Sequence, residues 1–442
     1  MISRRWLRII PVALIMYTIS YVDRTNISIA LTPDISISTM VRDLGMNKVM
    51  MGEAAGIFFI GYVMLQVPGG FWASRWSARK LISICLVGWG VCAIGCGLAQ
   101  TFRQFEAARF LLGAAESAVF PAMLVLLANW FPRSERAQAN AYWNLCQPLA
   151  VVVAALSTGA LLGHFGWRKV IVLEGMLPFL WLPIWWFLIR DRPRDAKWIS
   201  AEERDHLETT LRLEAAAVEP PKPLLSGEEP GQASPRGWSA RLWTKTASVG
   251  KIVGQPLVVV LIVIDFFHNC LAYGCMTFFT STLKGRNFSS WEYGMLFALP
   301  YTFTAVLMIL VSRHSDKVNE RRMHLGGTYL VSGLSLILSV SLRQHFWWSY
   351  AFLCLSIPGP SVALAPLWTI ASETLPTSTR GAVMGLINAC GNLGGFVGPF
   401  IAGWLSEASG NLNLSFDVLG AGILIAASLT FLLPKTAPMQ RA

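Results

Sequence analysis

Two adjacent charged residues, Asp23 and Arg24, lie in an otherwise apolar stretch near the start of the chain, YTISYVDRTNISIA (17–30). Each charge at the centre of a bilayer costs about 2.5–3.5 kcal/mol on insertion scales, so the pair needs a physical reason to be there. A guanidinium can bind a carboxylate through two parallel hydrogen bonds, and a desolvated carboxylate can take up and release a proton. The pair therefore indicates chemistry with anions and protons.

A second pair of charges, Arg109 and Glu116, lies seven residues apart in another apolar stretch. Two helical turns place them on one face. At 1.5 Å per residue, Glu116 lies about 16 Å and Asp23 about 21 Å from the start of their stretches, at a similar depth. We expect both carboxylates and both guanidiniums to share one cavity. The alternative is a neutralising cluster that only holds two helices together, since buried ion pairs are often energetically neutral overall.

Polar side chains also occur in apolar stretches of the C-terminal half. Asp265, His268 and Asn269 are spaced to lie on one helical face. They could bind a substrate hydroxyl or carry a proton, or Asp265 and His268 could form an internal hydrogen-bonded pair. Asn388 and Asn392, one turn apart, suit a polyhydroxylated ligand or hydrogen bonds between helices.

Three other features of the apolar stretches have structural interpretations. We expect Glu174 to pair with the nearby Arg168 or Lys169. The segment GGFVGP (394–399) predicts close helix packing, and the segment PGP (358–360) predicts a bend.

The elements that must position these residues are membrane-spanning helices. Of the 442 residues, 54% are apolar and only 14% are charged, whereas soluble domains have about 25% charged residues. Apolar segments of about 20 residues, long enough to cross a bilayer, recur along the chain. The twelve predicted segments are 9–30, 50–73, 81–101, 105–130, 137–163, 168–189, 255–283, 290–313, 323–342, 346–372, 381–404 and 414–434. The sequence therefore predicts an all-α integral membrane protein with twelve transmembrane helices.

The first segment could instead be a cleaved signal peptide, because arginines precede its apolar run. Its length, its charge pair and the eleven later segments argue against that interpretation. The eight cysteines all fall within predicted segments without a CxxC pair, so neither disulfides nor a metal site are expected.

The basic residues behind the net charge of +11 lie mostly in the segments predicted on one side of the membrane. With the N-terminus in the cytoplasm, the short inner segments hold fifteen basic residues and the outer loops hold eight. This bias follows the positive-inside rule and predicts cytoplasmic termini. Because membrane topology accounts for the basic excess, we do not expect a nucleic-acid partner.

A polar stretch between the sixth and seventh segments divides the chain. We predict an N-terminal six-helix bundle at 1–190, a cytoplasmic linker at 191–250 and a C-terminal six-helix bundle at 251–442. Ser200 and Glu203 fit a capping box, so a short surface helix is expected to begin there, before a flexible Pro- and Gly-rich part.

The two halves resemble each other. ASRWSARK (73–80) aligns with SDKVNERR (315–322), and FPRSERAQANAYWN (131–144) aligns with LPTSTRGAVMGLIN (375–388), at nearly the same offset. Parallel six-helix repeats predict a pseudo-two-fold axis along the membrane normal, with a substrate site between the halves near the midplane.

The chain resembles the major facilitator superfamily and, within it, the anion:cation symporter family. The segments that carry the resemblance span both halves: YVDRTNISIA, GYVMLQVPGGFWASRWSARK, RFLLGAAESAVFPA, NWFPRSERA, GWRKVIVLEGMLPF, DRPRDAKWISAEER and GNLGGFVGPFIAGWL. That family moves organic anions such as sugar acids, mostly with protons. The resemblance implies that Asp23 and Glu116 handle protons, that Arg109 assists proton movement and that Arg24 anchors the anion. Two more positions match substrate-contacting residues of the family, Tyr62 and Gln147.

The resemblance also implies a cytoplasmic gate in the basic loops. The expected gate residues are Arg75, Arg79, Asp316 and Arg321. This chain departs from the family where Ser74 replaces the usual Asp of the first such loop and Ser77 replaces a Gly. Gating of the N-terminal half is therefore expected to use other contacts.

The predicted function is alternating-access symport of an organic carboxylate, a sugar acid or related hydroxy acid, with protons, by a monomer in the cell membrane. The chain has no GxxxxGK[ST] segment for ATP, no Ser-His-Asp arrangement and no metal-ligand spacing, so we expect neither an enzyme nor a cofactor. Three alternatives remain: an organic-anion exchanger or facilitator without proton coupling, a drug-efflux antiporter, and a non-transporting sensor. The fifth segment lacks the GPxxGG-like stretch typical of efflux antiporters, and both polar ends are too short for a typical sensor.

Overall fold

The computed structural model describes residues 4–31, 40–216, 255–283, 288–318, 320–375 and 380–434. Within these residues, twelve helical stretches are long and apolar enough to cross a membrane, which confirms the predicted number. Spans 1 to 6 are Arg4–Ala30, Lys48–Gln66, Ala78–Leu98, Phe102–Trp130, Gln138–His164 and Trp167–Leu188. Spans 7 to 12 are Pro256–Phe278, Trp291–Ser315, Arg322–Ser341, Phe346–Thr374, Val383–Ser409 and Asn413–Leu432. The described residues contain no β-strand.

Some helices extend beyond the apolar spans or connect them. The helix of span 2 is Lys48–Arg75 and that of span 8 is Ser290–Val318. Short helices at Met40–Asp43, Pro193–Asp195 and Thr280–Leu283 lie between spans, and span 12 consists of Asn413–Leu429 and Thr430–Leu432.

Five spans are built from two consecutive α-helices. These are Phe102–Glu116 and Val119–Trp130 in span 4, Arg133–Asn144 and Cys146–His164 in span 5, Trp167–Gly175 and Leu177–Leu188 in span 6, Phe346–Ser356 and Pro358–Thr374 in span 10, and Arg380–Asn392 and Gly394–Ser409 in span 11. The break at Ile357 lies where a bend was predicted, because Pro358 and Pro360 lack the backbone N–H that would continue the helix. The break in span 4 directly follows Glu116.

The spans form two six-helix bundles, spans 1–6 and spans 7–12. The main contacts between the bundles are span 2 with span 11 and span 5 with span 8. A two-fold operation that maps spans 1–6 onto spans 7–12 exchanges these two pairs. The interface therefore has the pseudo-two-fold symmetry that the sequence repeat predicts.

The bundles meet closely on one side of the membrane. We call the side where span 1 begins and span 12 ends the terminus face, and the other side the opposite face. At the opposite face, a Cβ at Gly52 would overlap the Pro399 carbonyl, and one at Gly56 would contact Phe396. Nearby, Lys48 Nζ donates to the Ser406 carbonyl at 3.1 Å. Glycines thus let spans 2 and 11 approach at backbone distance and close this face.

A surface helix, Ala201–Ala216, follows span 6 on the terminus face. The Ser200 hydroxyl accepts a hydrogen bond from the Glu203 N–H at 3.2 Å, which confirms the predicted N-terminal cap. Just before the helix, Trp198 stacks on Trp130 with 5.2 Å between ring centroids, so this part of the linker packs on the N-terminal bundle. The predicted flexible part of the linker, at 217–250, lies outside the described residues.

Candidate functional site

A cavity of about 790 Å³ lies between the two bundles. Its wall follows span 2 from Tyr62 to Gly70, toward the terminus face, while the opposite face is closed by the glycine contacts around Gly52 and Gly56. All eight residues that the sequence singled out for substrate binding line it: Arg24, Tyr62, Gln147, Asp265, His268, Asn269, Asn388 and Asn392. Helices from both halves therefore contribute polar groups to one cavity.

Arg24 carries a positive charge in the cavity wall. Its Nε and Nη2 donate to Oε2 of Glu116 at 3.0 and 2.8 Å. Three aromatic rings lie 4.6–5.0 Å from Cζ of Arg24, and a fourth lies at 5.9 Å. They belong to Tyr21, Tyr62, Phe58 and Tyr17. Cation–π contacts of this kind stabilise a guanidinium that has lost most of its water.

Glu116 lies behind Arg24, fully buried and outside the set of cavity-lining residues. Its Oε2 also accepts a hydrogen bond from the Ser20 hydroxyl at 2.7 Å. Its Oε1 has no hydrogen-bond partner among the described residues. A proton can therefore be added at Oε1 without first breaking a hydrogen bond.

Asp23 and Arg109 occupy the other side of span 1. Arg109 Nη1 donates to the backbone carbonyl of Asp23 at 2.9 Å, and Arg109 Nε donates to the Ala54 carbonyl at 3.3 Å. Both carboxylate oxygens of Asp23 are buried without a hydrogen-bond partner among the described residues. They border a small space that Asn26 and Arg109 also line.

The expectation that the four charges share one cavity is therefore wrong. Only Arg24 lines the cavity, and Glu116 bonds to Arg24 rather than to Arg109 on its own span. Adjacent residues on a helix point about 100° apart because there are 3.6 residues per turn, so Asp23 and Arg24 face different neighbours.

The prediction that Glu174 pairs with Arg168 or Lys169 is also wrong. Glu174 accepts hydrogen bonds from Thr158 Oγ1 at 2.6 Å and Asn26 Nδ2 at 2.9 Å, which joins spans 1, 5 and 6. Arg168 instead pairs with Asp43 at 3.0 Å. Six residues separate Arg168 from Glu174, so at 3.6 residues per turn their side chains leave the helix on different sides.

The polar residues of span 7 are not bonded to one another as an Asp–His pair. His268 Nδ1 lies 3.1 Å from the Tyr329 hydroxyl, and Asn269 Nδ2 donates to the backbone carbonyl of Asp265 at 2.8 Å. Asp265 Oδ2 is buried against Gly391 and has no hydrogen-bond partner among the described residues. The carboxylate and the imidazole are thus separately available at the cavity wall.

Sequence reasoning missed several residues that shape the site. Ser20 is four residues before Arg24, so helical periodicity alone could have placed it on the same face. Tyr17 and Tyr21 follow the same periodicity. The contacts of Tyr329 with His268 and of Gly391 with Asp265 join distant parts of the chain, and no local pattern signals them.

The expected gate residues lie near the terminus face. The ring of Phe71 is 4.0 Å from Cζ of Arg75, and Arg79 Nη2 donates to the Trp186 carbonyl at 2.7 Å. Arg321 Nη1 donates to Ser315 Oγ at 3.0 Å. These contacts are within one bundle each, and the side chain of Asp316 lies outside the described residues.

Ser77, which replaces the family's Gly, has a partner that the sequence did not suggest. Its hydroxyl donates to Oδ2 of Asp191 at 2.5 Å, and Oδ1 of Asp191 accepts from the Arg79 N–H at 3.0 Å. Asp191, just after span 6, thereby supplies a carboxylate next to the loop in which Ser74 replaces the usual Asp.

The sequence is similar along nearly its whole length to proteins that are named as transporters. A relative from Agrobacterium vitis, named "Putative tartrate transporter", is 30% identical over 98% of this chain and 94% of its own length. A relative from Acinetobacter baumannii, named "Quinolone resistance transporter", is 28% identical over 96% of this chain and 94% of its own length.

The fold is similar to that of a solved membrane transporter. A bacterial homologue of the human lysosomal transporter Spinster, in an inward-facing and unoccupied conformation, superposes with a TM-score of 0.73, covering 97% of this chain and 98% of that chain at 16% identity. Residues 13–399 match the family described as Major Facilitator Superfamily. The chain is therefore a multi-pass membrane protein that belongs to the Major Facilitator Superfamily of transporters.

Proposed function

We propose that this protein is a proton-coupled symporter that imports an organic carboxylate, a sugar acid or related hydroxy acid. One observation carries the proposal: the guanidinium of Arg24 lies on the cavity wall and is held there by a single oxygen of the buried Glu116. An arginine at this depth in a membrane is costly, and a planar guanidinium matches the geometry of a carboxylate.

Coupling arises because Glu116 and the substrate compete for Arg24. An ionised Glu116 occupies Nε and Nη2, one of the pairs of donors through which a guanidinium can bind a carboxylate bidentately. A proton on Oε1 of Glu116 weakens that ion pair and leaves the charge of Arg24 for the substrate. Substrate and proton thus bind together more favourably than either binds alone.

Asp23 is the second proposed proton carrier, with Arg109 as its companion. Both oxygens of its carboxyl group are buried without a hydrogen-bond partner among the described residues, so a proton can be added without breaking a hydrogen bond. The Arg109 guanidinium bonds to the Asp23 backbone and borders the same small space, which suits it to stabilise the ionised carboxylate. Asp23 lies on the side of span 1 away from the cavity, so it suits proton transfer rather than substrate contact.

Neutral polar groups provide the remaining substrate contacts. Tyr62 and Gln147 in the N-terminal half, and Asn388 and Asn392 in the C-terminal half, offer hydrogen bonds to hydroxyl groups along a substrate chain. The Agrobacterium vitis relative is named for tartrate, a four-carbon hydroxy acid with two carboxylates, and supports hydroxy acids as the substrate class.

The proposed orientation puts the terminus face in the cytoplasm of a cell whose inner membrane holds the protein as a monomer. The excess of Arg and Lys in segments on the terminus face supports it. The cavity then faces the cytoplasm, with Arg75, Arg79, Asp316 and Arg321 as residues of the open gate. Alternating access would rock the bundles 1–190 and 251–442, joined by the linker 191–250, about the cavity.

Replacing Gly52 by tryptophan should trap the opposite, outward-open state. The side chain cannot fit against the Pro399 carbonyl, so the opposite face cannot close and uptake should fall to background. A cysteine introduced at Leu364, in the cavity wall, should become reactive to an impermeant maleimide added at the opposite face. Gly327→Trp is the matched control, because a Cβ at Gly327 meets nothing within 4 Å. Normal uptake by Gly52→Trp would contradict alternating access through this interface.

The proposed function is tested with purified protein in liposomes that are acidic outside. The liposomes receive a pooled panel of sugar acids, hydroxy-dicarboxylates and aromatic acids, and accumulated compounds are identified by mass spectrometry. We expect one class of carboxylate to accumulate and the accumulation to disappear when the proton gradient is collapsed. Uptake that ignores the gradient would instead support an exchanger or facilitator and remove the proton roles of Asp23 and Glu116.

A second candidate function, proton-coupled efflux, is favoured by the Acinetobacter baumannii relative that is named for quinolone resistance. The fifth segment of this chain lacks the GPxxGG-like stretch of efflux antiporters. A quinolone preloaded into the same liposomes separates the two functions. An antiporter would exchange it for external protons and expel it, whereas a symporter would accumulate a carboxylate from the panel.

A further inference from the structure

The cavity has opposite charges in its two walls. Among the described residues that line it, Arg24 in span 1 and Asp265 in span 7 are the only members of the Arg, Lys, Asp and Glu set. Arg24 already has a carboxylate partner, whereas no cation pairs with Asp265 among the described residues. Asp265 is only 2% exposed, so water contributes little to its stabilisation.

The two charges act at different levels of the cavity. Arg24 and Tyr273 border the same small space at the inner end, so Tyr273 marks the level of Arg24 on span 7. Asp265 precedes Tyr273 by eight residues, a helical rise of about 12 Å. A ligand whose carboxylate binds Arg24 can therefore reach Asp265 only with its far end.

The groups around Asp265 are neutral. His268 Nδ1 is engaged by Tyr329, and the amide nitrogen of Asn269 is engaged by the backbone of its own helix. The side-chain oxygen of Asn269, which lines the cavity, is left as an acceptor. The amides of Asn388 and Asn392, on either side of Gly391, can both donate and accept. This end of the cavity therefore suits a hydroxyl, which also donates and accepts.

Gly391 fixes the position of this carboxylate. A Cβ at Gly391 would overlap Asp265 Oδ2, so the carboxylate occupies space that only glycine leaves open on span 11. Close packing against Gly391 thus holds the Asp265 side chain in one position at the cavity wall.

We infer that Asp265 selects substrates that carry one carboxylate and end in hydroxyl groups, and rejects those with a second carboxylate at the far end. This inference rests on the proposed function and deepens it, because it separates monocarboxylic from dicarboxylic sugar acids. The physical reason is that a second carboxylate at the far end would be desolvated beside the carboxyl group of Asp265 with no cation to pair with it, since Arg24 is the only Arg or Lys among the described residues that line the cavity. A hydroxyl carries no charge and can hydrogen-bond to that carboxyl group.

The test compares gluconate with glucarate, which share a six-carbon chain and differ only in whether its far end is a hydroxymethyl group or a carboxylate. If the panel shows another chain length to be preferred, the matched pair of that length is used. In liposomes with the full-length protein, we expect uptake efficiency (kcat/KM) at least tenfold higher for the monocarboxylate. Asp265→Asn should reduce that preference at least tenfold, mainly by admitting the dicarboxylate. Asp205→Asn, the same chemical change on the exposed surface helix, should leave it unchanged.

Gly391→Ala provides a second variant that keeps the carboxylate and moves it. The added methyl group displaces Asp265, so the preference should again weaken. An analogue with an amino group at the far end of gluconate distinguishes a hydroxyl site from an ammonium site, and tighter binding of that analogue than of gluconate would overturn the hydroxyl assignment.

The outcomes separate this inference from the proposed function. A wild-type preference for the dicarboxylate that is lost in Asp265→Asn would overturn the inference while leaving carboxylate symport intact. An unchanged preference in both folded variants, verified by their elution as monodisperse protein, would also overturn it. Failure to take up any carboxylate would refute the proposed function itself.

Discussion

Alanine in place of Arg24 is expected to reduce carboxylate uptake about a hundredfold or more. Removing one partner of a buried, hydrogen-bonded charge pair costs about 2–5 kcal/mol, and each 1.4 kcal/mol is a factor of ten in binding. Arg24→Lys should also lose at least about tenfold, since an ammonium keeps the charge but not the two-donor fork. The measurement is initial uptake of the substrate identified in the panel, at several substrate concentrations.

The loss in Arg24→Ala has two possible sources, and a double variant separates them. Without Arg24, the buried Glu116 has no cation, and this alone could disturb the protein. In Arg24→Ala/Glu116→Gln that charge is also removed. The readout is counterflow of labelled substrate, which Glu116→Gln alone should preserve. If counterflow remains low in the double variant, Arg24 binds the substrate. If counterflow matches that of Glu116→Gln, Arg24 only neutralises Glu116, which is the structural interpretation of the cluster. Arg103→Lys, at an arginine whose side chain is 82% exposed, is the matched control.

Glutamine in place of Glu116 is expected to abolish proton-driven accumulation and to preserve exchange of substrate across the membrane. Glutamine keeps an oxygen that can accept from Arg24 and Ser20, so the architecture of the site survives. It cannot exchange a proton, so the carrier should reorient only with substrate bound and a pH gradient should no longer drive uptake. The measurements are counterflow of labelled substrate and gradient-driven accumulation in the same liposomes.

Retained accumulation in Glu116→Gln would remove its assigned role and leave Asp23 as the coupling residue. Loss of both accumulation and counterflow would indicate that Glu116 is needed to hold Arg24 in place. Glu202→Gln on the exposed side of the surface helix is the matched control and should behave as the wild type.

The sequence was sufficient to identify the twelve spans and eight polar residues of the cavity wall. The hydropathy of a stretch of about 20 residues indicates whether that helix lies in lipid or in water. It is a property of the stretch alone and does not depend on which helices pack against it. Intramembrane polar residues such as Asn388 and Asn392 stand out because lipid makes them costly, and the same cost places them at the cavity. Their roles in binding remain predictions.

Only the tertiary structure decided which charge meets which partner. Glu116 shares a helix face with Arg109 in the sequence, yet it bonds to Arg24 across two spans. Asp23 is adjacent to Arg24 but faces away from the cavity. Glu174 was expected to bond close in sequence and instead joins spans 1 and 5.

The physical reason is that helical periodicity gives the relative directions of side chains but not the rotation of the helix against its neighbours. That rotation is set by contacts between residues far apart in the chain, such as the glycines of spans 2 and 11 or Gly391 against Asp265. The sequence by itself therefore determined the membrane architecture and the composition of the site, and the packing of the helices determined its electrostatics.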